Sequence, residues 1–345
     1  MKKKLIYIAA ALLVLLVIGA WLLFGPATSF SDKNKYLFVR SGQNVQQQVE
    51  AQIDTGSIVY FPFIFNMTAS KTGVWEKLKP GRFEIKKGMS IFNIVRMLRN
   101  NVQSPVKLVI NKLRTKENLA KLLGKNFSFD STAAMQFFSS NDSLLRLDAD
   151  TNTLFTLVIP DTYLFNWNTQ PANLLQKLKD NEEKFWNKEN RLQLAQEQGL
   201  TPQQVYTIAS IVEEETNKDD EKGEIASVYI NRMNRGMPLG ADPTVKYALR
   251  DFSIKRIYFK HLVVESPYNT YKYKGLPPGP ICTPSQVTID EVLHAPKTDY
   301  LFFVAKSDFS GYHHFSNNFA EHDQYAKEYQ RALDSLIKNK QKQTD

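Results

Sequence analysis

Residues 201–217, "TPQQVYTIASIVEEETN", specify a helix more strongly than any other stretch of the chain. Thr201 stands at a cap position, Pro202 follows at the first helical position, and Gln204 lies three residues after the cap. This arrangement is the signature of a capping box with a proline start. Apolar residues then recur with the period of an α-helix. The stretch therefore predicts a helix that begins at Pro202 and buries one broad apolar face.

The same helix ends in three glutamates whose predicted surroundings differ. On a wheel of about 100° per residue, Glu215 lies roughly 50° from the centre of the apolar face, Glu213 roughly 110° and Glu214 roughly 150°. We therefore expect Glu215 to face inward, Glu213 to lie at the border and Glu214 to be solvated. An inward carboxyl group beside like charges should have a raised pKa, as a general acid near neutral pH requires. The alternative is a frayed helix end with all three glutamates in solvent.

The N-terminus predicts a membrane anchor. Residues 1–4 carry three lysines and precede an uncharged stretch, residues 5–24, which is long enough to cross the hydrocarbon core as a helix. Lysines directly before the span favour a cytoplasmic N-terminus, with everything after residue 24 outside the cytoplasm. We expect a single-pass protein of the cytoplasmic (inner) membrane. The alternative is a cleaved signal peptide, although its apolar region is usually shorter.

Composition narrows the functional classes. The chain has 345 residues, a formal net charge of +9 and 43% hydrophobic residues, which indicates a folded protein of more than one domain. The positive charge suits nucleic acid, anionic lipid or an acidic polymer. No basic run lies among aromatic residues in a nucleic-acid-binding motif, so we expect no nucleic-acid partner. The single cysteine, Cys282, excludes an internal disulfide and a multi-cysteine metal site.

The remaining chain predicts a mixed α+β fold with several parts. Residues 25–35 are polar and indicate a linker. Residues 36–102 form a small α+β unit, in which residues 36–40 and 57–65 resemble strands and residues 41–53 and 90–98 resemble short amphipathic helices. This unit could bind a ligand or act as a spacer. Residues 103–200 start with a strand and continue as helices, and residues 201–345 hold most of the motifs and end in an amphipathic helix over 322–338.

Four long blocks carry a family resemblance. They read "IASIVEEET", "EIASVYINRMNRGMPLGADPTVKYAL", "SPYNTYKYKGLPPGPICTPS" and "HAPKTDYLFFVAKSDFSGYHHFSNNFAEHD". In this order, and with the apolar N-terminal stretch, they resemble the YceG-like (MltG) family of endolytic murein transglycosylases. A weaker similarity extends upstream through "PDTY" and through "KPGRF", which resembles the LysM-like subdomain of that family. Gly240 and Ala241 depart from the larger or polar residues usual before the motif aspartate, and "TLVIPDTY" lacks the acidic-glycine pair often found ahead of "PDTY".

The resemblance implies particular site residues. The catalytic glutamate of the family directly precedes the threonine of an E-x-E-T motif, and this position is Glu215, the residue that the helical wheel turns inward. The other motif glutamate is Glu213. The further positions that the resemblance implies in substrate binding or support are Asp242, Thr244, Tyr268, Asn269, Thr270 and His313. Pro243, Phe315 and His322 also occupy motif positions.

The chemistry implied by the resemblance needs one titrating group. The acid protonates the oxygen of the MurNAc-β-1,4-GlcNAc bond, and the resulting carboxylate then accepts the proton of the MurNAc C6 hydroxyl as that oxygen attacks C1. The product ends in 1,6-anhydro-MurNAc. Since the substrate supplies its own nucleophile, no second catalytic carboxylate, metal or cofactor is expected, in contrast to ordinary glycosidases. The implied partners are peptidoglycan glycan strands, the membrane through residues 5–24, and cell-wall synthases as candidates.

Several alternatives remain open at this point. Asp242 could assist a water molecule in a hydrolytic muramidase, or it could cap a helix or turn. A catalytically silent anchor could bind glycan through the LysM-like region. Tyr268, Asn269 and Thr270 also fit an ordinary loop. His313, His314, His322 and Asp323 could form a metal site, yet adjacent histidines rarely bind one ion and no H-E-x-x-H motif is present, so a packed or substrate-contacting His313 is favoured.

Overall fold

The computed structural model of the protein describes residues 2–42 and 44–344, with side chains described to residue 338. The helices, in chain order, are α1 Lys2–Phe24, α2 Val45–Thr55, α3 Pro62–Lys71, α4 Ile91–Arg99, α5 Lys116–Asn126, α6 Ser131–Phe138, α7 Asn141–Leu145, α8 Pro171–Trp186, α9 Arg191–Glu197, α10 Pro202–Glu215, α11 Lys222–Asn234, α12 Asp242–Leu249, α13 Phe259–Leu262, α14 Gln286–Leu293 and α15 Phe319–Thr344. The strands are β1 Asn34–Val39, β2 Gly81–Lys86, β3 Val106–Val109, β4 Thr162–Phe165, β5 Phe302–Ala305 and β6 His313–Ser316. Short 3-10 helices occupy Leu154–Leu157 and Asp219–Glu221.

The mixed α+β class expected from the sequence is confirmed. The strands pair in two-stranded sheets, β1 with β2, β3 with β4 and β5 with β6. The chain divides into two compact units. Unit 1 holds the described residues of Met1–Leu108, Gly124–Phe129 and Tyr163–Gln170, and unit 2 holds those of Val109–Leu123, Asp130–Thr162 and Pro171–Asp345.

Unit 1 is built on the antiparallel pair β1–β2, which runs in register from Asn34 opposite Lys86 to Val39 opposite Gly81. Every second residue of β2 is buried, as expected for a strand with one face on a core. Helices α2, α3 and α4 supply the other side of this core. Helix α4 is a strongly amphipathic helix capped by Ser90, whose side chain accepts a hydrogen bond from the Asn93 N–H. The predicted helices over 41–53 and 90–98 therefore correspond to α2 and α4.

The predicted strand over 57–65 is wrong. The second half of this apolar run is the start of helix α3, with Pro62 at its first turn, and only Val59 forms an isolated bridge, with Thr28. Proline is well tolerated at the first helical turn because its missing N–H would have no partner there. Phe65 and Ala69, one turn apart, point into the unit 1 core. A short apolar run does not by itself distinguish a strand from a buried helix.

Helix α1 is long and apolar enough to cross a membrane, with 23 residues and no buried ones. Its C-terminal end packs against α4 within unit 1, since the rings of Phe24 and Phe92 lie 5.0 Å apart. Residues 25–35, predicted as a linker, join α1 to β1, and Ala27 and Phe30 within them are buried.

Unit 2 is organised around helix α10. The predicted capping box is confirmed, because the Gln204 N–H donates to the Thr201 hydroxyl and the Thr201 N–H donates to the Gln204 side chain. All residues from Val205 to Val212 are buried, so α10 is enclosed on all sides rather than on one face. Helices α11, α12 and α14 pack around it. Thr216 ends the helix in an extended conformation, which leaves Glu213, Glu214 and Glu215 in its last turn.

Candidate functional site

Glu215 lies in a cleft of about 600 Å³ within unit 2. The Tyr229 hydroxyl, on α11, donates a hydrogen bond of 2.6 Å to Glu215 Oε1. Tyr229 is itself buried, so this donor is fixed in position. The cleft is lined by residues of α10, α11, the loop before α12, β5, β6 and the start of α15: Glu215, Tyr229, Arg232, Met237, Pro238, Leu239, Gly240, Asp242, Tyr271, Phe302, Phe303, Val304, Ala305, His313, Phe319 and His322.

The pKa of Glu215 is raised to about 7. Burial is the largest cause, because desolvation disfavours the carboxylate. The hydrogen bond from Tyr229 acts in the opposite direction, and so does the positive charge of Lys246, while the negative charges of Asp242 and Glu214 raise the pKa further. The raised pKa expected from the helical wheel is thus confirmed, and Glu215 can both give and take a proton near neutral pH.

Glu214 is not solvated, which corrects the prediction made from the wheel. Its carboxylate accepts two hydrogen bonds of 2.9 Å from the Arg114 guanidinium and lies 3.4 Å from Lys112 Nζ. The Glu214 side chain is only 14% exposed. A wheel treats one helix alone, whereas the segment that carries Lys112 and Arg114 is about a hundred residues away in sequence and covers the polar side of α10.

Glu213 lies outside the cleft, in a polar network between helices. It accepts hydrogen bonds from the Ser285 N–H at 3.3 Å, the Ser285 hydroxyl at 3.2 Å and the Thr288 hydroxyl. Lys222 Nζ lies 3.5 Å from the same carboxylate. These contacts link the end of α10 to the start of α14. The structure therefore gives Glu213 supporting contacts, away from the space where a substrate would meet Glu215.

Asp242 enters the same cleft as Glu215 from the N-terminal end of α12. Its Oδ1 accepts a hydrogen bond of 2.6 Å from the Tyr271 hydroxyl. Gly240, one of the two departures from the family pattern, has a φ of +61°, which glycine adopts without strain. A Cβ there would lie 3.2 Å from the Arg232 guanidinium, so glycine also allows the close approach of this side chain.

Thr244, Asn269 and Thr270 are fully or almost fully buried and lie outside the cleft lining. The Thr244 and Thr270 hydroxyls are 2.8 Å apart, and Thr270 Oγ1 accepts from the Ala241 N–H at 3.0 Å. The Asn269 amide donates to the backbone carbonyls of Leu262, at the end of α13, and of Val264, at 2.8 and 2.9 Å. These three residues therefore hold the loop that presents Asp242 and Tyr271. Tyr268 is also buried and borders a different cavity.

His313 lies on the cleft wall and is held by Glu221. The His313 N–H donates to Glu221 Oε1 at 2.7 Å, and the ring Nδ1 is 3.1 Å from Glu221 Oε2. The adjacent His314 instead stacks on Tyr325 with ring centres 4.1 Å apart, and His322 stacks on Phe302 at 5.2 Å. Within residues 2–42 and 44–344, no three His, Cys, Asp or Glu side chains come together in a way that could hold a metal ion.

The sequence reasoning missed several cleft residues, among them Tyr229, Arg232, Tyr271 and Phe302. Arg232 donates to the backbone carbonyls of Leu301 and Leu239 at 2.6 and 2.5 Å, and its guanidinium lies 5.2 Å from the Phe302 ring. Tyr229 and Arg232 lie in the second motif block and Tyr271 directly follows Thr270, so the quoted blocks contained a signal for them. Their contacts with Glu215 and Asp242 could not be derived from spacing.

Comparison with known proteins gives a consistent result. The model of the YceG-like family matches residues 37–328. A protein of Bacillus subtilis (strain 168) named endolytic murein transglycosylase is 42% identical over 125 residues, 36% of this chain and 34% of that protein. A protein of the same name from Streptococcus pneumoniae (strain D39) is 27% identical over 334 residues, 88% of this chain and 60% of that protein. This chain therefore spans about a third to three fifths of the length of these relatives.

A crystal structure of a yceG-like protein from Listeria monocytogenes shares the fold. The two structures superpose with a TM-score of 0.55 at 24% sequence identity, over 85% of this chain and 99% of that chain. At this identity the likeness shows the fold alone.

Proposed function

This chain belongs to the YceG-like family, and from that premise we propose that it is a membrane-anchored endolytic murein transglycosylase. Its substrate would be the MurNAc-β-1,4-GlcNAc bond inside peptidoglycan glycan strands, and its products would end in 1,6-anhydro-MurNAc. The names of the B. subtilis and S. pneumoniae relatives support this proposal. The observation that carries it in this chain is the Glu215 carboxyl group, with a pKa of about 7, in an open cleft.

In this proposal Glu215 acts first as general acid and then as general base. Because its pKa is raised to about 7, Glu215 can hold near neutral pH the proton that the glycosidic oxygen requires. The carboxylate left behind accepts the proton of the C6 hydroxyl as this oxygen attacks C1. The Tyr229 hydroxyl stabilises the charged form and so limits how far burial raises the pKa of Glu215.

The cleft is lined in a way that suits a sugar. Phe302 and Phe303 contribute apolar lining, and Asp242, Tyr271 and Arg232 contribute polar groups beside it. Ligand sites commonly combine an apolar wall with a few fixed polar groups. Thr244, Asn269 and Thr270 would support the cleft through the loop, and His313 would contribute to its wall without a metal.

A second candidate function is hydrolysis, because Asp242 shares the cleft with Glu215 and could assist a water molecule. The experiment that separates the two uses the full-length protein in detergent with purified glycan strands, and identifies the product ends by mass spectrometry. Anhydro-MurNAc ends are expected. Reducing MurNAc ends would indicate a muramidase. Intact strands would indicate that the protein is a catalytically silent anchor that binds glycan.

We further propose that α1 anchors the protein in the cytoplasmic membrane with its N-terminus in the cytoplasm. The support is the length and apolarity of Lys2–Phe24 and the lysines at its start. One type of reporter enzyme works only outside the cytoplasm, and such a reporter should be active when it is fused to the C-terminus. A reporter that works only inside the cytoplasm should be inactive at the same position, and its activity there would contradict this topology. Partnership with cell-wall synthases stays a prediction that follows from the resemblance alone and is testable by co-purification.

The LysM-like interpretation of residues 36–102 is also a proposal. It is supported by the order β1–α2–α3–β2 and by a groove of about 540 Å³ beside β2 and α4, whose polar lining includes Asn93 and Arg96. If this groove binds glycan, Asn93→Ala with Arg96→Ala should reduce the fraction of protein that sediments with insoluble peptidoglycan. Unchanged sedimentation would favour the spacer interpretation.

A further inference from the structure

A second cavity of unit 2 has no role in the reaction described above. It encloses about 270 Å³ and is bordered by Lys116 at the start of α5, by residues 151–155, by the C-terminal part of α12 and by Tyr268. Leu154 and Phe155 in its wall are buried, and the rings of Tyr247 and Tyr268 lie 4.7 Å apart beside it. The cavity therefore combines an apolar, aromatic wall with the side chains of two cations, Lys116 and Arg250.

The charge of this cavity is not fully neutralised. Arg250 is paired with Glu117 at 2.7 Å. No carboxylate lies within 4.0 Å of Lys116 Nζ in the described part of the chain. Lys116 is half-buried and lines the cavity. An aromatic pocket with an unpaired ammonium group is suited to an anionic group carried on a less polar body.

Helix α12 connects this cavity to the Glu215 cleft. Asp242, at its first turn, lines the cleft, whereas Tyr247 and Ala248 line the cavity. The helix has eight residues and is therefore about 12 Å long. Pro243, Lys246 and Tyr247 follow the spacing i, i+3, i+4, which places them on one face of α12, and Arg250 follows directly after the end of the helix.

A smaller hollow of about 60 Å³ lies beside α12. It is bordered by Pro243, Lys246 and Arg114, and also by Glu214, the ion-pair partner of Arg114. Lys246 is close enough to Glu215 to act on its pKa. A chain lying along this face of α12 would pass from the acid in the cleft to the cations at the cavity.

The cavity is held in shape by tight packing. A Cβ at Gly279 would lie 2.1 Å from the Asn152 carbonyl oxygen, so only glycine allows this approach. Asp150 accepts hydrogen bonds from the Asn152 N–H at 2.7 Å and the Thr153 N–H at 2.8 Å. The segment that contributes Thr151 and Asn152 to the wall is therefore fixed before any ligand arrives, which lowers the entropic cost of binding.

We propose that this cavity binds a carboxylate carried on the 3-O-lactyl substituent of a MurNAc residue near the one that is cut. This inference rests on the proposed function. In a murein strand only MurNAc carries this substituent, and GlcNAc does not. Recognition of its carboxylate through Lys116 would set the register of the strand, so that a MurNAc–GlcNAc bond lies at Glu215. The carboxylate has two sources: the lactyl group itself in strands without stem peptides, or the stem peptide where it is attached.

The test is a binding experiment with the full-length Glu215→Gln variant in detergent, so that no ligand is cut. Three tetrasaccharides are titrated by calorimetry: a murein fragment with stem peptides, the same fragment without them, and a chitin fragment with no carboxylate. Adding Lys116→Met, which removes the ammonium group and keeps most of the length of the side chain, should weaken binding of at least one carboxylate-bearing fragment about fivefold. Binding of chitin should not change. Lys121→Met, at an exposed position of the same helix, is the matched control and should change none of the three.

The pattern of loss identifies the source of the carboxylate. A loss confined to the fragment with stems indicates the peptide, and a loss confined to the fragment without stems indicates the lactyl group. Equal affinities of the Lys116→Met and Lys121→Met proteins for all three ligands, or no binding at all, would overturn the inference. The proposed function is judged separately, by the anhydro ends that the wild-type protein forms, so a Lys116-dependent affinity without anhydro products would refute the activity and keep the binding site.

Discussion

The Glu215 cleft and the Lys116 cavity lie at the two ends of the same helix, α12, yet their electrostatic character is opposite. The cleft contains two carboxyl groups, and burial together with the charge of Asp242 raises the pKa of Glu215 to about 7. The cavity contains two cations, of which Lys116 lacks a carboxylate partner in the described residues. The cleft thus holds a group that can exchange a proton near neutral pH, as acid–base chemistry requires, whereas the cavity holds two cationic side chains, as recognition of an anion requires.

The largest effect should follow removal of the titrating proton in the cleft. Glu215→Gln keeps the shape of the side chain and should lower the rate of anhydro-end formation by about a thousandfold, a typical loss for a general acid–base group. The matched control is Glu197→Gln, which changes an exposed glutamate on α9 and should leave the rate unchanged. Circular dichroism should show both variants folded. Anhydro-end formation by Glu215→Gln at the wild-type rate would mean that another group in the cleft is the acid.

The next effect concerns the second carboxylate of the cleft. Asp242→Asn removes a negative charge that raises the pKa of Glu215, so this pKa should fall. Because the protonated acid is the active form, the falling limb of the pH–rate profile should move to lower pH. The rate at pH 7 should drop by up to about tenfold while the products stay anhydro.

The same variant tests the hydrolytic alternative. If Asp242 activates a water molecule, Asp242→Asn should abolish cleavage at every pH rather than displace the profile. The profile of Asp242→Asn, measured between pH 5 and 9 with product ends identified at each pH, separates the two outcomes.

Removal of the hydrogen bond to Glu215 should displace the profile in the opposite direction. The Tyr229 hydroxyl stabilises the carboxylate and so lowers the pKa of Glu215. Tyr229→Phe should raise this pKa and move the falling limb to higher pH, with a severalfold lower rate on the plateau because the carboxyl group is no longer held in place. A profile displaced to lower pH would contradict the donor role of Tyr229.

The control for Tyr229→Phe is another buried tyrosine of the same unit. The Tyr206 hydroxyl donates to the Val158 carbonyl oxygen at 2.7 Å, away from the cleft. Tyr206→Phe should lower the free energy of unfolding by about 1–3 kcal/mol, because it leaves a buried carbonyl group without this donor, and should leave the pH profile in place.

These contacts also show which features could be predicted from the sequence. The capping box at Thr201 and Gln204 involves residues three apart, so local pattern was sufficient to predict the start of α10. The inward position of Glu215 followed from the period of the same helix. The error at 57–65 has a local cause too, since Pro62 fits either the end of a strand or the start of a helix.

Features that depend on distant residues could not be predicted in this way. Glu214 was expected in solvent because its partners Lys112 and Arg114 belong to a segment about a hundred residues earlier. Tyr271 donates a hydrogen bond to Asp242, which is 29 positions earlier in the sequence. Lys116 and Tyr247 line the same cavity only because of the fold of unit 2. The family resemblance supplied residues such as Thr244 and Asn269, but their burial and hydrogen bonds, which give them a supporting place, came from the structure.

The smallest effects should come from Glu213 and Glu214, the two glutamates of α10 that lie outside the cleft. Their substitution tests which negative charges tune the acid in the cleft. Glu214→Gln removes a negative charge that raises the pKa of Glu215, so the falling limb should move slightly to lower pH. Glu213 is not among the groups that act appreciably on this pKa, so Glu213→Gln should leave the limb in place. Each variant weakens ion pairs, with Arg114 or with Lys222, and should lower the free energy of unfolding by about 1 kcal/mol.

Glu213→Gln and Glu214→Gln therefore form a matched pair, since the same change is made at adjacent positions. Only Glu214→Gln should change the pKa of Glu215. Full pH–rate profiles and denaturant unfolding curves of both proteins are the required measurements. A displaced profile in Glu213→Gln with none in Glu214→Gln would show that the helical wheel, which placed Glu213 nearer than Glu214 to the apolar face, describes the end of α10 better than the contacts with Arg114 and Ser285 do.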